Sequence, residues 1–218
     1  SDEDGAWYAQ VTLENLKRNA GGNEIPNMVI EDWPDLGYRG FMLDISRNFT
    51  TKDNILRFID LLAHYKVNVF HLHFGDDEGW RVEIEKFPEL TTFGAYHEFP
   101  YKNEDGEYVE ENYLMPSYNG GMDPEDMSSS ANGHLTKEDY IEILKYAWER
   151  RISVIPEFDT PGHSRAAIKA MDKYAERTGD DSYLLYDPED TSDYCSVQYY
   201  KDNALNVALP STYRFIEE

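Results

Sequence analysis

Basic clusters are what this chain lacks most plainly. Its 218 residues include 20 Lys or Arg against 43 Asp or Glu, a formal net charge of −23, and the few basic residues are scattered. Nucleic-acid backbones are gripped by grouped Lys and Arg, so the composition argues against nucleic acid as a partner. Cysteine occurs once, as Cys195, which excludes a disulfide within the chain and leaves the redox compartment open. With Tyr194, Ser196 and Val197 around it and no histidine close by, Cys195 reads as a small packed residue. No apolar run approaches a membrane span, and the first residues show no signal-peptide pattern. Core-forming residues are not scarce: 40% of the chain is hydrophobic, which excludes a disordered polymer. Its 17 tyrosines and 4 tryptophans suit core packing first and ring stacking on sugars second. One domain, or one and part of another, is expected at this length.

What is present is an alternation of strand and helix patterns. Ala6–Asn19 reads as a short helix stopped by Gly21-Gly22, and Ile25–Ile30 as an extended piece opened by Pro26. Pro34 and Gly37 mark a junction, which divides the chain into residues 1–36 and 37–218. Phe41–Ile45 is then a short strand, and Thr51–Lys66 a helix with Ile55, Phe58, Ile59 and Leu62 on one face. Val67–Phe74 is the next strand. His97–Gly133, rich in Gly, Asn, Asp, Ser and Tyr, reads as a long insertion with a hairpin tip at Asp105-Gly106. Its acid-rich part, Asn103–Glu111, lacks calcium-loop spacing and reads as a solvated loop. Thr136–Arg151 is a helix capped by Thr136 and Asp139, with Tyr140, Ile143, Leu144, Ala147 and Trp148 as its apolar face. Ile152–Phe158 is a strand and His163–Arg177 a helix stopped by Gly179. Pro188 and Pro210 break the tail before a last helix near Ser211. Three β-then-α units between Phe41 and Gly179 predict a parallel sheet with right-handed crossovers. A (β/α)8 barrel needs eight units and typically about 250 residues. The chain therefore reads as the amino-terminal portion of such a barrel, preceded by the end of a smaller α/β domain.

Reactive residues gather where the strands should end. In VNVFHLHFGDDEGW, Val67–Trp80, a buried-strand composition stops at Gly75 and delivers His71, His73, Asp76, Asp77 and Glu78. In ISVIPEFDTPGH, Ile152–His163, a second strand delivers Glu157, Asp159 and His163. Parallel α/β sheets carry their sites at the carboxyl ends of the strands. His71 and His73 share a strand face, which suits metal ligation or a hydrogen-bonded interior, and His73 lies nearer the rim. Asp76 is expected to contact a ligand's hydroxyls, while Glu78 and Trp80 shape the loop. Pro161-Gly162 predicts a turn that lets Asp159 fix the tautomer of His163. Arg47, after the first strand, suits structural pairing or a bidentate clamp on vicinal hydroxyls.

At these residues the sequence resembles family 20 of the glycoside hydrolases, the β-N-acetylhexosaminidases. The resemblance rests on YRGFMLDISRNF at Tyr38–Phe49, VNVFHLHFGDDEGW at Val67–Trp80 and VIPEFDTPGHS at Val154–Ser164, and the tail from Ser196 is similar to the chitobiase branch. It implies exo-removal of terminal β-linked N-acetylglucosamine or N-acetylgalactosamine with retention, the substrate's 2-acetamido oxygen acting as nucleophile. It implies no cofactor and no metal, a substrate that is an N-acetylhexosamine oligosaccharide or glycoconjugate, and an extracellular, periplasmic or lysosomal-type location. Residue by residue, it assigns Arg47, His73 and Asp76 to substrate binding, and Asp159 and His163 to support of the catalytic acid. By the same resemblance, Gly5–Glu31 is the last helix and strand of the preceding small domain.

The sequence departs from the family at two points. The adjacent Asp-Glu that carries the chemistry follows the fourth strand in the family, and no such motif follows His163. Gly75-Asp76-Asp77-Glu78 imitates it but lies on the second strand, where the family has Asp-Asp-Gln, so Asp77 and Glu78 are not assigned as that pair. Asn48 stands where many members have His. The expectation is a parent enzyme whose catalytic pair lies outside this chain. A non-catalytic glycan-binding module, or a metal-dependent hydrolase using His71 and His73, are the other readings open at this point.

Overall fold

The computed structural model describes residues 2–22, 24–96, 132–192, 194–198 and 200–218. Three strands, β1 (Gly40–Asp44), β2 (Val69–Gly75) and β3 (Ser153–Phe158), form one parallel sheet in the order β1-β2-β3. Among the described residues six α-helices accompany them: α1 (Glu3–Asn19), α2 (Lys52–His64), the single turn α3 (Glu89–Thr92), α4 (Lys137–Glu149), α5 (Arg165–Thr178) and α6 (Pro210–Glu217). The alternation β1-α2-β2-α4-β3-α5 is the one read from the sequence.

The local causes are legible. Thr136 and Asp139 close the amino end of α4 reciprocally, each side chain taking the other's backbone N–H at 3.1 Å. Gly179, at φ 70, supplies the left-handed residue that ends α5, and Pro210 opens α6 where its missing N–H leaves no bond unmade. One face of the sheet, Phe70 and Leu72 of β2 flanked by Leu43 and Val154, packs on Ile55, Ile59 and Leu62 of α2 and Ile143 and Ala147 of α4. A second cluster gathers Trp80, Phe87, Leu90, Ala166, Met171 and Phe215. Phe158 joins the two, stacking on Phe74 at 5.7 Å and on Trp80 at 4.7 Å. On the other face the side chains of Met42, His71 and Ile155 form one rung and those of Asp44, His73 and Glu157 the next.

Three expectations need correction, and a fourth lies outside the described residues. Ile25–Ile30 forms no strand and is exposed, because a strand requires a pairing partner and none of the described segments runs beside it. Leu144 and Trp148 are exposed, Trp148 to 72%, since α4 turns Tyr140, Ile143 and Ala147 onto the core. They flank Ile152 and Val154 at the β3 edge, where no other described element covers them. Cys195 is exposed rather than packed. Most of the insertion, residues 97–131 with the Asp105-Gly106 hairpin and the acid-rich loop, lies outside the described residues.

Candidate active site

Parallel strands bring their carboxyl ends to one edge, and three loops leave the sheet there: Ile45–Phe49 after β1, Asp76–Trp80 after β2 and Asp159–Ser164 after β3. The first is folded by Asp44, whose Oδ1 accepts the backbone N–H groups of Ser46 (2.9 Å) and Arg47 (3.1 Å). That turn aims the Arg47 guanidinium back over the β2 loop. In the third loop His163 adopts φ 54, a left-handed conformation uncommon for a side chain of this size. Ser164 holds it there, its hydroxyl donating to the carbonyls of Asp159 (2.8 Å) and Gly162 (3.0 Å). Strain kept at a loop of this kind is a common mark of a working site.

Asp76 is the hub. It is 1% exposed. Its Oδ2 lies 2.9 Å from His73 Nε2 and 2.6 Å from Arg47 Nη2, and its Oδ1 lies 3.1 Å from His163 Nδ1 and accepts the Asp77 N–H at 2.7 Å. Burial pushes its pKa up, but His73, the Asp77 N–H, Arg47 and His163 together outweigh it and hold the carboxyl below its ordinary range. His73 is itself 2% exposed, with its Nδ1 2.9 Å from Glu157 Oε2. Burial opposes its charge, yet hydrogen bonds to Asp76 and Glu157 raise its pKa to about 9.

The neighbouring acids differ. Asp77 is fixed from outside the β2 loop, Oδ1 accepting the Arg165 N–H (3.1 Å) and Oδ2 the Asn203 amide (2.9 Å), and burial dominates to raise its pKa. Glu78 is raised to about 7 by burial and by the Asp76 charge, with Arg47 Nε 3.4 Å from its Oε2 as partial compensation. That Oε2 is buried and makes no hydrogen bond. Arg47 thus serves three carboxylates, since its Nη1 also donates to Asp44 Oδ2 at 2.9 Å, while 34% of its side chain stays open to solvent.

Beneath the loops lies a fully buried cation that the sequence reading missed. Arg81 donates to the carbonyls of Ser46 (3.0 and 2.7 Å), Ala95 (2.8 Å) and Gly133 (3.1 Å). Gly79 leaves it room, because a Cβ there would meet the guanidinium carbon at 2.5 Å. Nothing in the run Gly79-Trp80-Arg81 signals this, since the carbonyls converge only in three dimensions.

The structure brings Arg47, His73, Asp76, Asp159 and His163 to one rim, but with different partners from those expected. The His163 imidazole turns to Asp76 and, at 3.2 Å, to Asp77 Oδ2, and no hydrogen bond joins it to Asp159. The left-handed backbone at His163 carries the ring across to the β2 loop instead of back along its own. His73 and Asp76, expected to touch a ligand, are 2% and 1% exposed and engaged with each other, with Glu157, Arg47 and His163, and Asp76 also lines the cavity beside the rim. Among the described residues two sets of donors converge within 4.8 Å, His73-Asp76-Asp159 and Asp76-Asp77-His163, and neither includes His71. Asp76 is common to both and is already balanced by Arg47 and two imidazoles. Beside the rim is a cavity of about 430 Å³, walled by Trp80, Phe158, Leu205 and Phe215 and edged by Asp159 and His163. Among the described residues no helix is long and apolar enough to cross a membrane.

Comparison with known proteins gives a consistent result. The family model for the glycosyl hydrolase family 20 catalytic domain matches residues 36–218. A β-hexosaminidase of Vibrio vulnificus is 41% identical over 227 aligned residues, covering 100% of this chain and 25% of that protein. The N,N'-diacetylchitobiase of Vibrio harveyi is 40% identical over 225, covering 100% of this chain and 24% of its own length. Among solved structures, a family 20 exo-β-N-acetylglucosaminidase of Vibrio harveyi in complex with N-acetylglucosamine superposes with a TM-score of 0.69 at 40% identity, over 85% of this chain and 25% of that one. The chain thus spans about a quarter of the length of these relatives.

Proposed function

The chain belongs to glycosyl hydrolase family 20, and on that footing we propose that it supplies three βα units and the sugar-facing rim of a (β/α)8 exo-β-N-acetylhexosaminidase. The observation that carries the reading is the Arg47–Asp76–His163 constellation at the carboxyl ends of three parallel strands. A guanidinium pinned on its inner side by Asp44 and Asp76 keeps its outer side for hydroxyls, and two N–H groups in a fixed plane match vicinal sugar oxygens. Residues buried below it cannot relax when a neutral sugar arrives, which keeps the clamp preorganised.

In the reaction, the 2-acetamido oxygen of the terminal sugar attacks its anomeric carbon as the glycosidic C–O bond breaks. The departing oxygen takes a proton from a general acid, and water then opens the oxazolinium on the same face, restoring the β configuration and returning the proton. In this scheme Arg47 binds the ring, His163 and Asp159 stand where they support the acid, and the Asp-Glu pair comes from residues outside this chain. No cofactor or metal enters it. The same reading puts the parent in an extracellular, periplasmic or lysosomal-type compartment, which fractionation of the source cells checks.

The test is hydrolysis of an aryl N-acetyl-β-glucosaminide by this chain and by the longer protein that carries it. Turnover by the longer protein alone, indifferent to chelators and reduced about 100-fold in kcat/KM by Arg47→Met, is the expected result. Turnover by the 218-residue chain would instead put Asp77 and Glu78 at the centre of the chemistry. Binding of N-acetylglucosamine with no turnover by either would make the protein a glycan-binding module.

A further inference from the structure

Glu157 has no part in the chemistry set out above, yet it closes the rung on which the site stands. Its Oε2 lies 2.9 Å from His73 Nδ1 and 2.8 Å from His71 Nε2. His73 Nε2 is 2.9 Å from Asp76 Oδ2, and Asp76 Oδ1 is 3.1 Å from His163 Nδ1. Contacts therefore run without a gap from β3, across β2, to the partly exposed imidazole of the third loop. An ionised carboxylate only accepts hydrogen bonds, and an imidazole donates at both nitrogens only when it carries two protons. We propose that Glu157 is a positioning residue, which keeps His73 as a doubly protonated bridge and so locks the Asp76 carboxylate, and through it the His163 ring, in one orientation.

The surrounding charges favour this state. Asp44 on β1, Glu157 on β3, and Asp76 and Asp159 in the loops are the anions around His73, while Arg47 and His163 lie on the far side of Asp76. Among the described residues His71 is a further titratable neighbour, one rung below on β2. A neutral His73, its ring 2% exposed, would set a ring lone pair against a carboxylate oxygen at 2.9 Å, Asp76 Oδ2 or Glu157 Oε2. Burial alone would disfavour the charged ring, and the two carboxylates reverse that, lifting its pKa to about 9. Without the bridge, Asp76 Oδ2 answers to Arg47 alone and the carboxylate is free to rotate away from His163.

The experiment has a spectroscopic and a kinetic arm, and only the kinetic one rests on the function proposed above. Imidazole nitrogen NMR of the longer protein, labelled at histidine, is expected to show both His73 nitrogens protonated up to about pH 8, and a midpoint lower by at least about one unit in Glu157→Gln. In the longer protein, Glu157→Gln is expected to lower kcat about 10- to 100-fold with little change in KM, and to move the alkaline limb of the kcat profile by at least about one unit toward acid. Glu157→Asp should recover part of both effects. A residue needed only for folding would lower activity at every pH and leave the limb in place, and that result overturns the proposal. So does a wild-type His73 that is neutral at pH 7, which settles the matter even should the variant fail to fold. Absence of any turnover by the wild-type longer protein would count against the hexosaminidase reading and leave the NMR arm to judge the bridge.

Discussion

Replacing Arg81 by methionine keeps an unbranched apolar stem and removes the guanidinium from a position closed to solvent. Among the described residues, the side chain donates four hydrogen bonds to three carbonyls, those of Ser46, Ala95 and Gly133, all on buried residues. A buried acceptor left without a donor costs about 1–3 kcal/mol, so three of them amount to about 3–9 kcal/mol before relaxation. Against that stands relief of a buried cation, whose desolvation is large enough to pull the Arg81 pKa down to about 9 despite the nearby Asp44 and Glu78 charges. The difference is a net loss of about 3 kcal/mol, in the range found when one partner of a buried charged network is removed. Urea unfolding of the chain would read this as a midpoint lower by about 1–3 M, for an m of about 1–3 kcal/mol/M unchanged by the substitution. Arg81→Lys should fall between, since an ammonium at the end of a single stem cannot reach three carbonyls at once. A midpoint for Arg81→Met within about 0.3 M of the wild type would refute the reasoning, because it would mean that the three carbonyls find other donors at no cost.

Glu78→Gln tests the electrostatics of the rim. The Glu78 carboxyl titrates near 7 in the fold, above its ordinary 4.5, so the folded state holds the extra proton and stability falls as pH rises from 4.5 through 7. The amide removes that dependence: we expect it to be about 1–3 kcal/mol more stable than the wild type at pH 8 and close to it at pH 4, and an equal difference at both would exclude the linkage. Trp80→Ala removes a ring stacked on Phe158 at 4.7 Å and on edge to Phe215 at 6.1 Å, together with the indole bond to the Val82 carbonyl. A loss of about 3–5 kcal/mol is expected in thermal or denaturant unfolding, and a loss under about 1 kcal/mol would show that the second core cluster does not depend on it.

How far the sequence could be read follows from how local each cause is. The capping box of α4 and the left-handed Gly179 are written in adjacent residues, and both stand where the pattern placed them. β2 was legible because an apolar run rich in β-branched and aromatic residues broke at Gly75. The partner of His163 was not. Proximity in the chain favoured Asp159, whereas φ 54 at His163 turns the ring to Asp76 and Asp77. The Asp44–His73–Glu157 rung required strand order and register, which no single segment states. Trp148 misled in another way, since helical periodicity identifies an apolar stripe without saying which part of it the sheet covers.

The contacts at Ala95 and Gly133 draw the two ends of a long stretch of chain together. The Gly133 N–H donates to the Ala95 carbonyl at 3.1 Å, directly beside the arginine that ties both carbonyls down. Once the ends are fixed, doubling the number of residues between them costs only about 0.6 kcal/mol in closure entropy. The closure is thereby made within the body of the protein, at two carbonyls that one buried arginine holds.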